Sequence, residues 1–233
     1  MPSSTRTTVA ALAAALSLAS AAGAVTGSDP DGDAHPYAGA VVVDGSVRCS
    51  AVLVAPAVVA TAAHCVSDGA VVDVAFDSKL DRASWTLHRG RAVVHPAYNG
   101  NGDDLAVVLL DAAAGIAPAA LPAAGAVAGL SKGALVVSVG YGYSGRSADG
   151  SFLYDGLRRA GSSPVAGITK SALRLDTSEG GPCMGDSGGP QLVGDTVLSV
   201  TVSGSKTCDK KAEGLRLDTP SARGFLGRFV ALP

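Results

Sequence analysis

The chain is written in short Val-rich runs, each soon stopped by glycine, proline or a polar turn residue. Runs of this length and β-branched content are strands, because a helix needs about ten or more residues of 3.6-residue periodicity to bury one face. A first group comprises Val41-Val42-Val43, Val52-Leu53-Val54, Val71-Val72-Asp73-Val74, Val93-Val94 and residues 105–110. A second comprises residues 135–139, Leu173-Arg174-Leu175, residues 197–202 and Leu215-Arg216-Leu217. Between the groups, residues 112–132 are rich in Ala, Gly and Pro and read as a connection. The fold class is therefore all-β, with one helix of note expected over residues 221–230, after Pro220. Aromatic residues make up only 4% of the chain, so Val, Leu and Ala must fill the core. A net charge of −2, with 47% hydrophobic and 16% charged residues, excludes a disordered chain and a polyanion binder.

Three segments carry chemistry. Thr61-Ala62-Ala63-His64-Cys65 supplies an imidazole, Asp104 at the head of the apolar run 105–110 supplies a carboxylate, and Gly185-Asp186-Ser187-Gly188-Gly189-Pro190 supplies a hydroxyl. Alone, a serine among glycines marks a turn, and a histidine after Thr-Ala-Ala marks buried structure. The hexapeptide differs because each position has a mechanical reason. Gly185 and Ser187 can present backbone N–H groups to an oxyanion, while Gly188 and Gly189 let the chain turn with no side chain in the way of a substrate. A serine hydroxyl is a poor nucleophile until a base takes its proton, and that base needs an acid to fix its tautomer. Asp103 and Asp104 both follow the turn Asn99-Gly100-Asn101-Gly102; Asp104 is preferred because it abuts the buried strand.

In this order, His then Asp then Ser, these residues resemble the chymotrypsin-like (trypsin-like) serine endopeptidases. Further matches are Val25-Thr26-Gly27-Ser28, Pro36-Tyr37, His95-Pro96-Ala97-Tyr98-Asn99 and Gly140-Tyr141-Gly142. Subtilisin-like and α/β-hydrolase enzymes use other orders, and Gly-Asp-Ser-Gly lacks the elbow spacing of the latter. The resemblance implies two packed antiparallel six-stranded β-barrels, over about 25–117 and 132–219, and a C-terminal helix. His64 and Asp104 would come from the first barrel and Ser187 from the second. It implies acyl-enzyme hydrolysis of polypeptide substrates by a monomer, with protein inhibitors as possible partners and no cofactor, metal or nucleic acid. A catalytically silent binding protein of this family would have lost the His or the Ser; both are present.

Arg6, the apolar stretch 9–22 and the small-residue site Ala22-Gly23-Ala24 read as a signal peptide over 1–24, leaving a secreted domain over 25–233 with no membrane segment. Four cysteines allow three pairings. The family pattern favours Cys49–Cys65 and Cys183–Cys208, each worth about 3 kcal/mol. The family's N-terminal ammonium, paired with the acid before the nucleophile, corresponds here to Val25 and Asp186. Its specificity pocket corresponds to Gly181 at the base, with Gly214 and Gly204 on the walls. A base without a carboxylate implies cleavage after apolar or aromatic residues, whereas Glu179 or Asp176 would have to supply an anion for cleavage after Lys or Arg. Pro182 departs from the hydroxyl residue usual before Cys183. Asp29, Asp31 and Asp33 lack the spacing of a calcium loop and read as a solvated turn.

Overall fold

A computed structural model describes residues 25–233; the leader expected over 1–24 lies outside the described residues. The strands are β1 (Asp29–Pro30), β2 (Ala38–Val43), β3 (Ser46–Ala55), β4 (Val58–Thr61), β5 (Val71–Ala75), β6 (Leu87–Val94), β7 (Ala106–Leu110), β8 (Leu135–Gly140), β9 (Gly145–Arg146), β10 (Phe152–Leu153), β11 (Arg159–Ile168), β12 (Ala172–Asp176), β13 (Pro190–Val193), β14 (Thr196–Gly204) and β15 (Lys211–Arg216). The order β2-β3-β4-β7-β6-β5 closes into one antiparallel barrel. β8-β11-β12-β15-β14-β13 closes into the second through the β13–β8 pairing. Closure removes the open edges that would otherwise pair with another chain. No helix among the described residues is long and apolar enough to cross a membrane.

The Val-rich runs become strands because each can turn small branched side chains inward. Val41, Leu53, Val59, Val74, Leu105 and Val107 fill the first barrel, and each such side chain, fully buried, stabilises by about 1.5–3 kcal/mol. In β12, Leu173 and Leu175 point inward while Arg174 lies outside, paired with Glu213 at 2.8 Å. β11 and β13 have no apolar run of their own; their partners on both sides impose the strand. The terminal helix α1 spans Pro220–Leu226, shorter than expected, because Gly227 ends it. Thr219 caps it by accepting the Ala222 N–H at 3.3 Å, and Phe225 and Leu226 are buried.

The first barrel starts at β2. The residues before it lie on the second barrel, with Thr26 bridged to Gly181 and Asp29 paired with Ala160. Asp31, expected in a solvated turn, is buried: its carboxylate meets Arg158 Nε at 2.8 Å, and both side chains are 1% exposed. Arg158 also donates to the carbonyls of Phe76 (2.8 Å) and Gly32 (2.5 Å), so a single guanidinium joins the N-terminal segment to both barrels. Burial alone would raise the Asp31 carboxyl, but hydrogen bonds from His35 and Arg158 hold it below its ordinary value. Replacing Arg158 by Ala is expected to cost about 3–5 kcal/mol in denaturant unfolding, because it strands a buried carboxylate. With a lowered folded pKa, the Asp31 contribution is present above the ordinary value of 3.8 and is lost as pH falls below it. An Arg158→Ala protein as stable as its parent at pH 7 would show that the pair contributes nothing.

Candidate active site

His64 stands just beyond the end of β4, where Ala63–Cys65 forms a single 3-10 turn that leaves the imidazole exposed. The Cys49–Cys65 disulfide ties that turn to β3, with the Cα atoms 6.0 Å apart. Asp104 lies just before β7. Its Oδ1 accepts the His64 backbone N–H at 2.9 Å, and its Oδ2 meets His64 Nδ1 at 2.7 Å. One carboxylate thus sets both the place and the orientation of the ring. With a proton on Nδ1 held by Asp104, Nε2 is the free acceptor. Asp103 is used differently: it accepts from Ser221 Oγ at 2.5 Å and lies 4.0 Å from His95 Nε2, clamping the loop to the start of α1. Nothing local in the sequence signals that clamp, because Ser221 is 118 positions away.

Ser187 lies in the loop between β12 and β13, which the Cys183–Cys208 disulfide ties to the segment after β14. The loop is pressed against the first barrel. Ser50 donates its N–H to Ser187 O at 2.8 Å. At Gly188, with φ of 80°, a Cβ would collide with Thr61 Oγ1 and stand 2.8 Å from Ala62 N, so only glycine permits this approach. His64 and Ser187 line one cavity of about 460 Å³. No hydrogen bond joins Ser187 Oγ to His64 among the described residues; in unliganded sites such a bond is commonly long and tightens when substrate binds.

The N–H and C=O of one peptide unit point in opposite directions, so bonds made by two carbonyls aim two amides. Tyr143 N–H donates to Met184 O at 2.9 Å, which turns the Gly185 N–H the other way. Gly189 N–H donates to Asp186 O at 3.0 Å and does the same for the Ser187 N–H. Neither of these two N–H groups has a hydrogen-bond partner among the described residues. Such a pair can receive the oxygen of a tetrahedral intermediate.

Beneath this loop, Asp186 is 1% exposed. It accepts the backbone N–H groups of Gly142 and Cys183, each at 2.8 Å, and that of Val25. Burial, only partly offset by these donors, pushes its carboxyl up to about 6. Three neutral donors leave a carboxylate there without a counter-charge. Val25 is wholly buried, and its φ of 53° is a strained conformation for a β-branched residue.

A smaller cavity of about 160 Å³ is also lined by Ser187, together with Pro182, Met184, Thr201, Ser203, Gly204 and Lys206 among others. Of the three glycines expected around the specificity pocket, Gly204 lines it. Gly181 sits behind, bridged to Thr26, and a Cβ there would meet Thr177 Cγ2 at 2.5 Å. At Gly214 a Cβ would collide with the carboxamide of Gln191, so that side chain already fills the space the glycine leaves. Gln191 is fully buried, accepts from Ser199 Oγ at 2.6 Å and donates to Thr201 Oγ1 at 3.3 Å. No carboxylate lines this cavity. Glu179 lines a different one with Thr26 and Arg146, and Asp176 accepts the Ser178 N–H at 3.0 Å.

Comparison with known proteins places this geometry in a family. The trypsin family matches residues 24–222. Brachyurin of Leptuca pugilator is 31% identical over 191 residues, covering 73% of this chain and 81% of that protein. A trypsin of Saccharopolyspora erythraea is 31% identical over 197 residues, covering 76% of this chain and 85% of its own. Among solved structures, neuropsin, a serine protease expressed in the limbic system of mouse brain, has the same fold with a TM-score of 0.67 at 20% identity, over 80% of this chain and 92% of its own. With two closed six-stranded barrels and a family match that runs through both of them, the chain belongs to the trypsin family of serine endopeptidases.

Proposed function

We propose that His64, Asp104 and Ser187 are the catalytic triad of a secreted endopeptidase that cleaves polypeptides after apolar or aromatic residues. The observation that carries this reading is the joint placement of a carboxylate-oriented imidazole and Ser187 in one cavity, beside two unengaged N–H groups. His64 Nε2 takes the proton of Ser187 Oγ as that oxygen attacks the scissile carbonyl. Asp104 stabilises the imidazolium that forms, and the Gly185 and Ser187 N–H groups hold the oxyanion. His64 then protonates the leaving amine, and a water activated by the same imidazole releases the acyl group from Ser187. Residues 1–24 and the two disulfides support export.

The apolar preference rests on the cavity beside Ser187. A Lys or Arg side chain entering it would find no anion, and Lys206 at its edge adds like charge. An unpaired buried cation costs several kcal/mol. Anilide substrates that differ only in the residue before the cleaved bond test this. Phe, Tyr, Leu or Met is expected to exceed Arg by more than about tenfold in kcat/KM, some 1.4 kcal/mol in transition-state binding. A tenfold preference for Arg would sink the apolar reading and direct attention to Glu179. Labelling of the native protein, but not Ser187→Ala, by a fluorophosphonate tests the nucleophile itself.

A further inference from the structure

A further cavity, of about 530 Å³, adjoins the site and shares only Met184 with the cavity beside Gly204, and nothing in the proposed chemistry uses it. Arg48, Met184 and Gly185 line both this cavity and the one that holds His64 and Ser187, so the two form a continuous groove. If the residue before the cleaved bond places its side chain beside Gly204, the departing chain must run the opposite way, past the Cys49–Cys65 bridge and Arg48. Beyond Arg48 the groove is walled by Arg82, Trp85, Tyr143 and Tyr154. Trp85 is the only tryptophan of the chain, and Tyr154 and Met184 are 49% and 45% exposed.

The charge of this groove is one-sided. No acidic side chain lines it. The Arg48 guanidinium has no hydrogen bond or ion pair among the described residues, and that of Arg82 has only the hydroxyl of Ser46, at 3.4 Å. The acids nearest along the chain, Asp44, Asp81 and Asp155, do not line it; Asp81 accepts the Ala83 N–H at 2.9 Å, and Asp155 is paired with Arg159 at 2.7 Å. Two guanidinium groups with no anion at ion-pair distance, in a groove that aromatic and thioether side chains also line, make a receptor for a carboxylate carried on an extended peptide.

Resting on the endopeptidase reading above, we propose that this groove reads the leaving side of the substrate and selects an acidic side chain at the second or third residue after the cleaved bond, held by Arg48 and Arg82. The first residue after the bond passes through the His64 cavity and is not selected by charge. The enzyme would therefore be specific in two separate places, neutral before the bond and anionic after it.

The test is a set of internally quenched peptides with one fixed acyl half, in which Glu or Lys is placed in turn at the first, second and third leaving-side positions. Two partly exposed ion pairs set the expected preference for Glu over Lys at about tenfold in kcat/KM at the second or third position, with a ratio near one at the first. The preference should shrink as salt is raised from about 0.1 to 1 M, which contracts the screening length from about 10 to 3 Å. In an Arg48→Glu, Arg82→Glu double variant the ratio should invert in favour of Lys. Each ratio is measured within one protein, so any general loss of folding or turnover cancels. A ratio near one at all three positions, or one that survives the double variant, overturns the proposal while leaving the protease reading intact. Absence of cleavage of every peptide together with absence of fluorophosphonate labelling would remove the protease reading instead.

Discussion

Replacing Ser187 or His64 by alanine is expected to lower turnover by about six orders of magnitude, with the double replacement hardly worse than either alone, because triad members act as one unit. Asp104→Asn should cost roughly four orders, the size of effect that the wrong imidazole tautomer has in triads of this kind. That replacement keeps the shape but turns an acceptor facing His64 Nδ1 into an amide that can donate, so Nε2 no longer stands ready to take the serine proton. Asp103→Asn is the control. Its carboxylate holds Ser221, not His64, so it should affect the anchoring of α1 and leave most of the turnover. Steady-state kinetics on an anilide substrate, with circular dichroism to check folding, decides the matter. Near-normal activity in Asp104→Asn with loss in Asp103→Asn would move the orienting role to Asp103.

The second large effect concerns the start of the domain. A form of the protein carrying a residue before Val25 that cannot be removed is expected to lose at least about tenfold in kcat/KM, the value of one charge-assisted hydrogen bond. The reason lies in Asp186, a buried carboxyl that accepts only neutral N–H groups, one of them from Val25. A free amine there supplies the missing positive charge to the loop that aims the Gly185 and Ser187 amides. It also removes the peptide unit that defines φ at Val25, and with it the strain of a left-handed valine. The extended form should differ in its pH dependence as well. There the Asp186 pKa of about 6 lies above its ordinary 3.8, so the folded state holds the proton more tightly than the unfolded one. Stability of the extended form therefore falls as pH rises from about 4 through about 6, a loss the form beginning at Val25 escapes. Equal activity of the two forms across that range would show the ion pair to be unnecessary.

Much of the site was legible because its requirements are local. The glycines around Ser187, the small residues before His64 and the acid at the head of a buried strand each answer to a demand made within a few residues. The strands were legible for the same reason, since β-branched runs broken by turn residues can bury one face only as strands. β11 and β13 were not, because neither carries an apolar run and both are strands only through their neighbours. Asp31 looked like turn polarity beside Asp29 and Asp33, yet its partner Arg158 lies 127 positions away. Gly214 looked like an opening, yet Gln191 from another strand fills it.

The sequence by itself determined the strand-forming segments, the order of the three side chains of the proposed triad and the glycines their loops demand, because strands and glycine turns are enforced by covalent geometry and short-range sterics. Only the tertiary structure decided what Asp103 holds, which cation neutralises Asp31, what fills the space beside Gly214 and where the unpaired arginines of the groove gather. Those outcomes depend on barrel closure and on the packing of one barrel against the other, which bring together groups distant in the chain, Asp31 and Arg158 being 127 positions apart and Asp103 and Ser221 118 apart.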